Sequence, residues 1–446
     1  MKYWESGLVV TILLVAGLLL AAELIRRFVP LFRKLGIPGS IIAGVLGLAL
    51  GPSAAQLLPL DTDVLESAVY HGLAIAFIAV GLQTPPAGRK GGGSTSMAFA
   101  IPWLLTFQAA LGLAIVLLLG GLHPGLGALL PLGFQQGPGQ ALSLGAAWEA
   151  AGLENGAQIG LIIAAFGFAW SVFCGVPLVA WGRTRGLIAP LPPAKEATQN
   201  DTRASLPPGS LELATRQAVA IGIVYLATYG IVRFLSGLNG LSDLAWGFHF
   251  LVGTLIALPT RILINKMPGP TPLDDKLLGR IAGITVDFIT CSALAAIQIS
   301  VLTANLVPIL VLTTVAGLCT LFCVVWLSRR AFPDAPFEHC VVLFGAATGT
   351  LPMGLALLRI IDPELRSPAP ISAVLGSIGA IIGSAPVVVV FLPRMVASWT
   401  DGTYPGAGWM WLGICIAYVI ALTIGWRLMG PLRFHKPIAS FWPIPK

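Results

Sequence analysis

Charge is what this chain has least of. Only 10% of its 446 residues are Asp, Glu, Lys or Arg, against about a quarter in an ordinary soluble domain. That scarcity excludes a soluble globular protein, whose surface needs charges to cover it. Histidine is rarer still, at five residues, and the six cysteines are scattered at Cys174, Cys291, Cys319, Cys323, Cys340 and Cys415. They form no cluster with metal-ligand spacing, which argues against a zinc enzyme. An aspartyl intramembrane protease needs two facing membrane aspartates, and only Asp287 lies deep in an apolar run. No nucleophile motif surrounds Ser143. The chain therefore reads as a non-enzyme. Its net charge of +7 is explained by basic cytoplasmic loops and calls for no nucleic-acid partner.

What is abundant is apolar surface. Hydrophobic residues make up 56% of the chain, mean hydropathy is +0.87, and apolar runs recur, as at 7–25, 103–119 and 305–327. Runs of roughly 17–25 residues are what a helix needs to cross a bilayer. The sequence predicts an all-α polytopic protein of the cytoplasmic (inner) membrane, with the lipid bilayer as its surroundings. The leading residues MKYWES carry no net charge and no clear cleavage site follows, so the first run reads as a span rather than a signal peptide.

The spans fall into two sets. In residues 1–188 they are expected near 7–28, 38–52, 68–84, 99–121 and 156–181, with an interrupted segment at 125–150. A Pro-rich, polar cytoplasmic linker occupies 189–212. In residues 213–397 spans are expected near 213–236, 242–260, 281–301, 305–328 and 368–393, with a second interrupted segment at 337–361. Residues 398–446 add one further span, about 408–428, and a tail. If each interrupted segment dips in and returns, the N-terminus lies outside and the C-terminus inside. Arg26, Arg27, Arg183, Arg185, Arg329, Arg330 and Arg427 then all fall on the cytoplasmic side, as the positive-inside rule asks. Five spans per half is an odd number, so the halves run in opposite senses, the inverted-repeat plan of many secondary transporters. Matches between the halves agree with it: Gly44 with Gly253, Gln83 with Gln298, and Phe134, Gly139 and Glu154 with Phe344, Gly349 and Glu364.

The interruptions read GFQQGPGQALSLGAAWE (133–149) and GAATGTLPMGLALLRIIDPE (345–364). Non-helical backbone survives in a bilayer only where protein buries it or where it lines a wet cavity. A helix that restarts after such a break presents N–H groups and a positive dipole end, which suit a carboxylate. The candidate substrate-binding residues are Gln135, Gln136, Gly137, Gly139 and Gln140 in the first break, and Thr348, Gly349, Thr350 and Met353 in the second. The alternative is that each break is a packing kink. Asp287, together with Gln83 and Gln298, is the candidate Na⁺ site; an end-of-span cap or ion pair is the alternative for Asp287. His71 is a candidate proton site or an interfacial histidine. Arg359 pairs with an anionic substrate, or it snorkels to the cytoplasm or pairs with Asp362 or Glu364.

The motifs IPGSIIAGVLGLALG (37–51), IAVGLQ (78–83), GPGQALSLGAAWE (137–149), TGTLPMGLALLRIIDPE (348–364) and GSIGAIIGSAP (376–386) resemble those of the glutamate:sodium symporter family. The resemblance covers most of the chain. It implies inverted five-span halves, each with a re-entrant hairpin, whose tips meet at the substrate in a core that moves against a dimeric scaffold. It further implies a homodimer, Na⁺ as coupling ion, and glutamate or a related small carboxylate as substrate. The span at 408–428 is additional to that plan. The alternative within the same class is a proton-coupled carrier, or an exporter of another organic anion, in which Asp287 or His71 titrates.

Overall fold

The structure is a computed structural model that describes residues 7–84, 92–190, 212–237, 242–267, 273–434 and 442. The described chain is helical throughout, with no strand among the described residues. Helix α1 (Gly7–Phe28) and the short α2 (Pro30–Lys34) precede α3 (Gly39–Leu50), α4 (Thr62–Gly81) and α5 (Gly92–Leu119). The first interrupted segment is α6 (Pro124–Pro131), a π-helical turn (Leu132–Gln136) and α7 (Pro138–Glu149). Next come α8 (Gly156–Thr184), α9 (Leu213–Ser236), α10 (Ser242–Gly247), α11 (His249–Lys266), α12 (Asp275–Ala295), α13 (Ile299–Ala304) and α14 (Leu306–Ala331). The second interrupted segment is α15 (Pro336–Leu358). Helix α16 (Ala369–Ala385) continues through a π-helical turn (Pro386–Phe391) into α17 (Leu392–Thr400), and α18 (Gly406–Met429) follows.

Among the described residues, ten helices are long and apolar enough to cross a membrane, counting α16–α17 as one and α15 whole. The chain is a multi-pass membrane protein. Boundaries differ from the expected spans where polar caps or bends intervene. Helix α4 starts at Thr62 rather than near 68, because the Asp61 carboxylate caps it, accepting from the N–H groups of Asp63 and Val64 at 3.0 and 3.2 Å. Asp274 does the same for α12 through the Leu277 N–H at 2.9 Å, so that span begins at Asp275 and ends at Ala295, with α13 beyond it. The span expected at 38–52 is a helix of 12 residues, and the one at 242–260 divides at Phe248 into α10 and α11. Most of the linker expected at 189–212 lies outside the described residues.

Two groups of helices pack together. In one, α4 lies along α12, with α3 on α12, α11 on α4, α1 on α3 and α9 on α11. Glycines permit the closest of these approaches. A Cβ on Gly44 of α3 would sit 2.6 Å from the Leu294 Cβ of α12, and one on Gly253 of α11 would sit 2.9 Å from the Ile78 Cγ1 of α4. In the other group α5 packs on α6, α16 and α18, while α8 packs on α7 and α15. Gly145 of α7 and Gly156 of α8 face each other with no room for a Cβ on either, the small-residue packing that lets membrane helices come close.

Candidate functional site

Helix α8, at 29 residues and 1.5 Å per residue about 43 Å long, organises the site. At its N-terminal end the Ala157 N–H donates to Glu149 Oε1 (3.0 Å), which terminates α7. The other end of that first segment lies alongside. His123 Nδ1 accepts from the Gly125 N–H at 3.0 Å, so Nε2 carries the proton and donates to the Ala151 carbonyl at 3.0 Å. Burial holds this imidazole below its ordinary value, against the backbone bond to Ala151. The first segment therefore folds back and leaves where it started. At the C-terminal end of α8 the Ala189 N–H donates to Glu338 Oε1 (2.7 Å), near the start of α15. Arg183 Nη2 donates to the Ile360 carbonyl (3.0 Å), just past its end. The second segment folds back too: a Cβ on Gly345 would lie 2.6 Å from the Gly354 Cα, whereas nine residues of straight helix span about 13.5 Å.

The two segments are thus inserted from opposite ends of α8, and their tips meet beside its middle. Gly137 (φ +89°, ψ 176°) forms the first tip and Thr350 (φ +74°, ψ 165°) the second. A Cβ on Gly137 would stand 2.6 Å from Thr350 Cγ2. The two residues share one backbone conformation, in a region nearly confined to glycine. The counterpart of Gly137 is therefore Thr350, not the residue that the Gly139–Gly349 spacing pairs with it. Three residues lead from Phe134 to the first tip and six from Phe344 to the second, so the paired phenylalanines do not fix the register of the breaks. Helix α7 restarts at Pro138 and the second arm of α15 at Leu351, each with a proline in its first turn (Pro138, Pro352) and no side-chain cap on Gly137.

Around the tips lies a shell of polar side chains. Ser171 of α8 shares a 2.7 Å hydrogen bond with the Thr348 hydroxyl, and its hydroxyl is 3.3 Å from the Gly345 carbonyl. Gln108 of α5 donates to the Ala347 carbonyl (2.9 Å) and to Thr320 Oγ1 (3.1 Å). Gln135 donates to the Ile101 carbonyl at 2.9 Å, and Gln140 donates to Gln136 Oε1 across the break at 3.0 Å. The Oε1 atoms of Gln108 and Gln135 are buried without a hydrogen-bond partner among the described residues. Gly139 faces Leu73 of α4, and Gly349 faces Ser171 and the buried Met353. Of the nine candidates, the structure brings Gly137 and Thr350 into contact, with Gln136 and Gln140 bonded across the first break and Thr348 and Gly349 against Ser171. Gln135 and Met353 turn into packing around the tips. Gln108, Ser171 and Gln158 were not among the candidates, although each is an uncharged polar residue in an apolar run, the available signal.

The three residues expected to bind Na⁺ do not come together. Gln83 lies next to Gly279, near the start of α12, while Gln298 lies beyond its C-terminal end. Sixteen residues of helix lie between Gly279 and the end of α12 at Ala295, about 24 Å. Gln298 instead donates its N–H to Gln158 Oε1 at 2.9 Å, and Gln158 Nε2 donates to Glu66 Oε1 (2.6 Å) and to the Ala296 carbonyl (3.0 Å). This knot ties α8 to α4 and α12 at the end that also carries Asp61, Asp63 and Glu149. At the opposite end, with Arg26, Arg183 and Arg359, a cavity of about 590 Å³ opens between α1, α3, α12 and the second arm of α15. Its lining includes Glu23, Arg26, Asp287, Arg359 and Pro352, so it reaches within two residues of Thr350. His71 has Nδ1 2.6 Å from the Tyr225 hydroxyl. No group of three His, Cys, Asp or Glu able to hold a metal occurs among the described residues.

These features define an all-helical, multi-pass membrane protein with two broken helical segments apposed at its centre. Comparison with known proteins finds no matching family model, no matching curated protein and no matching solved structure.

Proposed function

We propose that the protein is a secondary active transporter, and that its cargo is glutamate or a related small carboxylate moved with Na⁺. The observation that carries this reading is the contact of the Gly137 and Thr350 tips, inserted from opposite ends of α8. In a bilayer that arrangement makes the two segments re-entrant hairpins, and it puts two helix N-termini at mid-depth, where an anion gains most from them. The matched packing of α3 on α12 and α11 on α4, through Gly44 and Gly253, supports two inverted five-span halves. With the basic end cytoplasmic, the cavity is an inward vestibule and the Gln158 knot closes the outer side. Alternating access then requires the knot to release and the vestibule to close. A homodimer and an inner-membrane location follow from the resemblance.

One observation favours a second coupling mechanism. The Asp287 carboxylate is exposed to the vestibule with no partner among the described residues, and the oxygens expected to bind Na⁺ are dispersed. Proton-coupled transport, or export of another organic anion, is the alternative. Uptake of labelled small acids into proteoliposomes, with Na⁺ and pH gradients imposed separately, tests both. Accumulation driven by the Na⁺ gradient supports the first reading, and accumulation driven only by the pH gradient supports the second. Absence of gradient-driven accumulation for every acid would refute both.

A further inference from the structure

The vestibule carries four charged side chains, and they differ in their bonding. Glu23 and Arg26 of α1 pair with each other, Arg26 Nη1 donating to Glu23 Oε2 at 3.2 Å. Asp287, from α12, and Arg359, from the second arm of α15, line the same cavity from different walls. Both are exposed and make no hydrogen bond or ion pair among the described residues. The carboxylates nearest Arg359 in sequence are taken: Asp362 accepts from the Arg366 and Ser367 N–H groups at 2.9 and 2.8 Å, and Glu364 pairs with Arg366 at 3.2 Å. The cavity, at about 590 Å³, falls within the range of small-molecule sites.

The charges in this space cancel. A vestibule shaped only for an anion would hold surplus positive charge, since an unpaired carboxylate in its wall repels the cargo. One free carboxylate and one free guanidinium instead match a solute that carries both signs. Guanidinium offers a planar fork to a carboxylate, and a carboxylate accepts from an ammonium.

We propose that Asp287 and Arg359 read the charge pattern of the solute in the vestibule: the ligand is a small zwitterion, with its ammonium on Asp287 and its carboxylate on Arg359. This rests on the transporter reading and adds to it a requirement for an amino group. Arg359 lies seven residues beyond Pro352 on the same helical arm, about 10 Å along the axis. The pair therefore screens solute between the basic end and the tips.

The test is calorimetric titration of the purified full-length protein, with and without Na⁺, using probes that differ only in the amino group: glutamate against glutarate, and aspartate against succinate. The wild type is expected to bind the amino acid of a pair about tenfold or more tightly than its des-amino counterpart, the worth of one charge-assisted contact. Asp287→Asn should abolish that preference while leaving the dicarboxylate's affinity unchanged or improved. Arg359→Gln should weaken both members of a pair. Neither side chain makes a bond that the fold needs, so the unliganded melting temperatures should match the wild type. Equal binding of both members by the wild type overturns the proposal and leaves the transporter reading standing. So does an Asp287→Asn variant that keeps its preference for the amino acid while losing only pH-driven uptake, which would make Asp287 a proton carrier. A wild type that binds none of the four acids overturns this proposal and, with it, glutamate or a close relative as the cargo.

Discussion

Replacing Gly137 by alanine probes the tip contact directly, because two separable costs arise there. The first is conformational: at φ +89° and ψ 176° any residue with a side chain costs about 1–3 kcal/mol. The second is steric. The new methyl would stand 2.6 Å from Thr350 Cγ2, so the threonine must leave its rotamer well at about 0.5–1.5 kcal/mol. Gly137→Ala should therefore destabilise the protein by about 1.5–4.5 kcal/mol, within the roughly 5–15 kcal/mol that a folded protein has to lose. Thr350→Ser removes Cγ2 and keeps the hydroxyl. In that background the steric cost disappears and the conformational one remains. The double-mutant cycle should thus show a coupling of about 0.5–1.5 kcal/mol, with the second substitution partly rescuing the first. Unfolding in detergent measures the four stabilities, and uptake rates should follow the same order. Additivity within about 0.3–0.5 kcal/mol would refute the reasoning, because residues out of contact do not couple.

Gly167→Ala should force α8 away from α15, because its Cβ would overlap the Thr348 carbonyl, a rigid backbone atom; a loss of about 1–3 kcal/mol is expected by thermal unfolding, with uptake reduced. Gln158→Ala strips the partner from the Glu66 carboxylate, the Ala296 carbonyl and the Gln298 N–H at once. It should cost about 1–3 kcal/mol, read as a lowered melting temperature. Asp362 supplies a pH-dependent element. Burial pushes its carboxyl up, but bonds from Ser367 and Arg366 outweigh that and hold it below its ordinary value. Its folded-state value is the lower one, so its contribution is complete above about pH 4 and is lost as pH falls through the folded value. Asp362→Asn should flatten that acid limb of a melting-temperature profile.

Apolar runs made the helices legible, since the length needed to cross a bilayer leaves its mark on composition directly. Boundaries were less legible where a cap sets them, as at Asp61 and Asp274, because a cap is one residue against a long run. Both breaks were visible as Gly, Pro and Thr in apolar surroundings. Their register was not, because the second segment runs three residues further from Phe344 to its tip than the first does from Phe134, and no residue type announces where a helix in an apolar run gives way. Paired positions misled at Gln83 and Gln298. Each does follow a third span, but α4 and α12 pack antiparallel, so equivalent ends lie far apart. The bonds of Gln108, Ser171 and Gln158 connect residues more than ninety positions apart, and one sequence carries no record of such pairings.

The claim at the centre of this account is that solute binds where Gly137 meets Thr350. The most direct test is thiol protection at that point. The six native cysteines, all free, are replaced, and the half-buried Thr350 is changed to cysteine. Modification by a small water-soluble thiol reagent is then followed with and without the transported acid and its coupling ion. Solute at concentrations that saturate uptake is predicted to slow modification about tenfold or more. Modification at an unchanged rate, in a protein that still accumulates the acid, would contradict the account.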